Sequence, residues 1–106
     1  MSKLYGIDPS QKISPLMVRD ALINCFYEAH CEDTGIDIKE GDINREYCRE
    51  IISKAFKDVG GDFDNPTKES VVGVVKKLKN FSKGFRDQKI IEKHAKEIMS
   101  LINKLD

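Results

Sequence analysis

Three cysteines and two histidines are the first residues whose chemistry has to be tested. Cys25, His30, Cys31 and Cys48 suffice in number for a tetrahedral zinc shell of sulfur and nitrogen ligands. Their spacing works against it. Cys25 and Cys31 stand six residues apart, which turns them about 240° from each other on a helix. No Cys-x2-Cys or His-x3-His pair anchors a site. The pattern reads instead as Cys25 and Cys48 in a core, with His30 and Cys31 near a helix end.

A second constellation is His94 with Glu97, a His-x2-Glu pair that reverses the Glu-x2-His order of helical di-iron sites. A carboxylate shell would need matching residues from other helices. Glu28 and Glu46 are the nearest candidates, and both fall at the polar edge of their segments. His94 is therefore expected to lie, partly buried, beside the apolar seam of its helix. The acidic stretches starting at Asp33 and Asp58 do not follow the EF-hand order, because loop position 6 is Ile38 in one and Phe63 in the other where glycine is required. Gly60-Gly61 follows a helical pattern and lacks a downstream Gly-Lys-Ser/Thr, so it is no phosphate loop, and no Gly-x-Ser-x-Gly elbow occurs. No catalytic residue and no cofactor are expected.

The basic tract has a mechanism. Lys76, Lys79 and Lys83 share one side of a helical pattern, and Arg86, Lys89, Lys93 and Lys96 continue it into the next. Such a stripe could neutralise successive phosphates, with Phe85 free to stack on an unpaired base while Phe81 serves the core. Charge is also divided along the chain. Up to Pro66 there are eight Lys/Arg against thirteen Asp/Glu, and from Thr67 onward ten against five, so formal charges of −5 and +5 cancel. A dedicated nucleic-acid domain is usually strongly basic as a whole. A solvated lysine face that meets a complementary surface fits this neutral chain better.

These groups are positioned by four helical patterns. Ser14-Pro15 is a cap followed by proline at the first helical position, and Val18, Ala21, Leu22, Cys25, Phe26 and Ala29 share a face over residues 15–33. Asn44 is placed to cap a helix over 44–59, with Ile43 just before the cap set to staple onto Cys48, four positions after it. Its apolar repeat is Tyr47, Cys48, Ile51, Ile52, Ala55, Phe56 and Val59, stopped by Gly60-Gly61. Asn65-Pro66 opens a helix over 66–83 that buries Val71, Val74, Val75, Leu78 and Phe81. The run Ser70-Val-Val-Gly-Val-Val75 is β-branched and would also suit a strand paired with Ile36–Ile38. Asp87 caps a helix over 88–105 whose Ile91, Ala95, Ile98, Ile102 and Leu105 step by four and three, widened by Ile90, His94 and Leu101.

The expectation is an all-α, single-domain antiparallel bundle over residues 1–106, with an extended N-terminal arm over 1–14 anchored by Leu4, Tyr5, Ile7 and Ile13. The N-terminus lacks a signal-peptide apolar region, and no apolar run approaches the roughly 18 residues of a membrane span. An odd cysteine count suits reduced thiols in a cytoplasmic protein. The functional expectation is a helical module that binds a protein partner or itself. Binding of RNA or DNA through the basic C-terminal half comes second, and a metal protein or enzyme built on Cys, His and Glu third.

Overall fold

The computed structural model describes residues 5–8, 10–34, 42–78 and 87–105. Four helices follow in order: α1 Pro15–Thr34, α2 Asp42–Asp58, α3 Lys68–Lys77 and α4 Gln88–Ile102. No strand occurs among the described residues, where Ile7 alone takes part in a bridge. The architecture is an all-α bundle organised around α1, which packs against α2, α3 and α4.

α1 starts as its cap dictates: Ser14 Oγ accepts from the Met17 amide at 3.3 Å, and the Val18 amide reaches the Ser14 carbonyl at 3.1 Å. Its burial is wider than one face. Val18, Ala21, Leu22, Ile23, Cys25, Phe26, Tyr27, Ala29 and Cys31 are all buried. A helix that is apolar nearly all round has to be covered on every side, and the other three helices together with the N-terminal arm provide that cover. The arm is turned rather than simply extended. Tyr5 and Gly6 both have positive φ, +52° and +85°, and Asp8 closes a second turn by accepting from the Ser10 amide and hydroxyl at 2.9 and 2.7 Å. Tyr5, Ile7 and Ile13 are buried against the core as expected, while Leu4 lies outside the described residues.

α2 begins two residues earlier than the Asn44 cap predicted, and the Ile43 staple concerns a side chain outside the described ones. Cys48, Ile52, Ala55 and Phe56 are buried, but Tyr47 is 53% exposed and does not belong to the core. The i, i+4, i+8 row through Cys48 already fills the contact with the bundle, and Tyr47 sits one step, about 100°, off that row. The helix ends in a Schellman motif. The Gly60 amide bonds the Lys57 carbonyl at 3.0 Å and the Gly61 amide the Phe56 carbonyl at 2.8 Å, with Gly60 at φ +75°.

α3 resolves the β-branched ambiguity at residues 70–75 in favour of helix. Val71, Val74, Val75 and Leu78 are buried at helical spacing. Gly73 is what lets this segment lie close to α2, since a Cβ there would stand 3.2 Å from Val59 Cγ1. The predicted Asn65-Pro66 start is corrected to a Thr67 cap. Asn65 is drawn into the preceding turn, where its amide and side chain both bond Asp62, at 3.2 and 3.3 Å. Thr67 and Ser70 then form a capping box, with the Ser70 amide donating to Thr67 Oγ1 at 3.1 Å and the Thr67 amide to Ser70 Oγ at 2.8 Å. The helix reaches Lys77, with Leu78 as its cap, and residues 79–86, including Phe81, lie outside the described residues.

α4 is capped by Asp87, whose Oδ1 accepts from the Lys89 amide at 3.0 Å. It ends at Ile102 rather than Leu105, because Lys104 and Leu105 switch to bonds three residues back, at 3.0 and 2.9 Å. Replacing Thr67 with alanine removes the capping box and is expected to lower unfolding free energy by ~1 kcal/mol. Gly60→Ala meets open space but keeps the positive φ, for a similar cost of ~1 kcal/mol. Urea denaturation measures both, and an unchanged midpoint in either variant contradicts the assigned helix ends.

Candidate functional site: a buried tyrosine, histidine and carboxylate relay

The densest polar chemistry lies where the arm, the C-terminal part of α1 and the middle of α4 meet. Tyr5 Oη stands 2.7 Å from His94 Nδ1 and donates to Glu97 Oε2 at 3.2 Å. On its other side, His94 Nε2 lies 2.7 Å from Glu32 Oε2. Lys93 Nζ donates to the second Glu32 oxygen, also at 2.7 Å. His94 is a buried residue at 8% exposure, whereas the Glu32 side chain is 42% exposed. The relay therefore runs from the protein surface to a phenol in the core.

Each participant follows from a local constraint. Glu97 is one helical turn beyond His94, so both project from one side of α4. The Asn24 side chain donates to the Tyr5 carbonyl at 3.1 Å, which holds the backbone of the turn, and the Tyr5 and His94 rings pack tilted with centroids 5.8 Å apart. The Cys25 thiol donates to the His94 carbonyl at 3.6 Å. At the start of α4, the Asp87 amide donates to Asp33 Oδ1 at 2.9 Å. The C-terminal half of α1 is thus tied to α4 through Cys25, Glu32 and Asp33.

The electrostatics keep the buried groups protonated. Burial, reinforced by Cys25 and by the Glu97 charge, pushes the Tyr5 hydroxyl far above the ordinary phenol range. Burial likewise pushes the Cys25 thiol up to about 12, opposed by the Tyr5 hydrogen bond. Bonds from Lys93 and then His94 hold the Glu32 carboxyl below its usual range, and the bond to Glu32 in turn raises Lys93. At neutral pH the phenol and the thiol are hydrogen-bond donors, not nucleophiles.

The relay brings together His94 and Glu97, which the sequence paired, but the further carboxylate is Glu32 rather than Glu28 or Glu46. Glu46 instead lines an open groove of about 1170 Å³ between the outer side of α2 and the Gly61–Asp64 turn, together with Arg49, Lys57 and Asp62. That groove shares no residue with the relay. Phe63, which also lines it, stacks edge-on against Phe56 at 5.8 Å and carries the Arg19 guanidinium 4.4 Å above its ring. Cys25, Cys31 and Cys48 are buried, with no disulfide between them. Among the described residues no three His, Cys, Asp or Glu side chains are grouped to hold a metal.

Of the basic tract, Lys76, Lys89, Lys93 and Lys96 are exposed. Lys93 is engaged with Glu32, so its charge is partly neutralised within the chain. Lys79, Lys83, Phe85 and Arg86 lie outside the described residues. No helix among the described residues is long and apolar enough to cross a membrane. Comparison of the chain with family models, with curated proteins and with solved structures gives no match.

The pH dependence of Glu32 has a definite sign. A carboxyl held low in the fold contributes stability that is present above its unfolded pKa and lost as pH falls through the folded value. Between about pH 5 and pH 3 the wild-type chain is expected to lose more stability than Glu32→Gln, which has no carboxyl to protonate. Urea titrations of both proteins across that window check it, and parallel losses contradict the tie.

Proposed function

We propose that this chain is a non-catalytic helical module that acts by docking its charged exterior onto a protein partner, a second copy of itself included. The observation that supports this reading is the division of its chemistry between inside and outside. Tyr5, His94 and the cysteine thiols are buried, and Tyr5, His94 and Cys25 hold elements together through hydrogen bonds. Lys76, Lys89 and Lys96 face outward on α3 and α4, and Glu46, Glu50 and Asp58 face outward on α2. Charged side chains arranged in this way set the orientation and rate of association more than its strength.

The test is affinity capture with the full chain as bait, from lysate with and without nuclease, beside a variant in which Lys76, Lys89 and Lys96 are glutamine. These lysines are exposed, so the variant should keep its stability within ~0.5 kcal/mol. The reading expects a protein partner, or tagged copies of the chain, to survive nuclease treatment and to be retained less by the variant. Capture that disappears with nuclease, accompanied by submicromolar binding of RNA or DNA at physiological salt, would replace it with nucleic-acid recognition.

A further inference from the structure

Tyr47 is the aromatic ring that α2 leaves on the surface, 53% exposed. It shares one side of the helix with Glu50 and Lys54, three and seven residues further on. Both of those residues line the groove between α2 and the Gly61–Asp64 turn. Exposed tyrosines are enriched where proteins meet, because one rigid side chain brings a large contact area. The groove therefore carries an anchor for a protein at its edge.

Its charges say which protein. They change sign twice along its length: Glu46 and Glu50 come first, then Lys54 and Lys57, then Asp58 and Asp62. Arg49, between the first two, has its guanidinium 5.6 Å from the centre of the Phe63 ring. Among the described residues no ion pair joins any of these side chains to another. Covering unpaired charges costs free energy unless opposite charges arrive with the cover. An occupant of the groove has to present positive, negative and positive groups in turn.

The chain carries that order on another helix. Lys89, Glu92 and Lys96 are exposed on α4 at i, i+3 and i+7, within about 60° of arc. Lys93 beside them stays with Glu32 at 2.7 Å. α2 and α4 each pack chiefly on α1 and α3, so their outer sides face away from each other. One molecule cannot seat its own row in its own groove.

We propose that a second copy of this chain docks the Lys89, Glu92 and Lys96 row of its α4 into the α2 groove, beside Tyr47. This rests on the docking reading above and names its partner. Lys89 and Lys96 meet the two acidic stretches, and Glu92 meets Lys54 and Lys57. The contact is heterologous: each pair keeps one free groove and one free row, so association runs on instead of stopping at a two-fold dimer. Contacts made by exposed charges are weak and screened by salt.

The experiment is sedimentation velocity of the full chain up to about 1 mM, at ~50 mM and ~500 mM salt. Wild type is expected to pass beyond a dimer as concentration rises, with association about tenfold weaker at the higher salt. Tyr47→Ala with Glu50→Gln disables the groove, and Lys89→Gln with Lys96→Gln disables the row; each double variant should associate about tenfold more weakly. Mixed together, they retain one intact groove and one intact row, and should stop at a 1:1 pair. All four positions are exposed, so urea midpoints should stay at the wild-type value; Glu50→Gln alone replaces the first pair if that midpoint falls. A wild-type chain that stays monomeric at low salt overturns the proposal. So does association indifferent to salt, or a mixture that fails to pair. The docking reading outlives that result where Lys76, Lys89 and Lys96 still govern capture of a different protein, and falls with it where they do not.

Discussion

The covering of α1 is the constraint from which the rest of the structure follows. Its buried side chains point in nearly every direction around the helix axis, so three neighbouring helices leave one flank to the N-terminal arm. An arm that covers a core must bring apolar side chains with it, and Ile7, Ile13 and the ring of Tyr5 do so. The tyrosine also carries a hydroxyl into the core, where an unpaired donor is costly. His94 and Glu97 are its partners, Glu32 is the partner of His94, and Lys93 is the partner of Glu32. A packing requirement in one helix thereby becomes a polar chain across three elements.

That chain also joins the two halves of the charge distribution. Glu32 and Asp33 belong to the acidic half, while Lys93, His94 and the Asp87 amide belong to the half that is rich in lysine. Part of the segregation is therefore satisfied within the molecule. Among the exposed lysines of that half, Lys76, Lys89 and Lys96 are the ones on which docking to a partner is proposed to rest.

The helices were legible because each leaves a local signature. The caps at Ser14 and Asp87 and the glycine stop at Gly60 sit where their chemistry predicts, and Val71, Val74 and Val75 repeat with Leu78 at helical spacing despite the β-branching of the valines. The errors were also local. Asn65 is as good a cap as Thr67 in isolation, and only its bonds to Asp62 remove it from the helix. Tyr47 is adjacent to the buried row of α2, and composition cannot tell a neighbour of that row from a member. The relay was only half legible. His94 and Glu97 are three residues apart and announce each other, but Tyr5 lies 89 residues from His94 and Glu32 lies 62. Neither pairing has a periodicity or motif to signal it. The fold alone brings them together, and the clue available was that a tyrosine anchoring an arm must find a partner for its hydroxyl.

The Tyr5 hydroxyl and His94 act as one interaction that fastens the arm over α1. A double-mutant cycle with Tyr5→Phe, His94→Gln and both together, read by urea unfolding at a single neutral pH, measures it most directly. The two losses are expected not to be additive, with a coupling of about 1–2 kcal/mol for this buried bond. Additive losses, equal within ~0.3–0.5 kcal/mol, would contradict it.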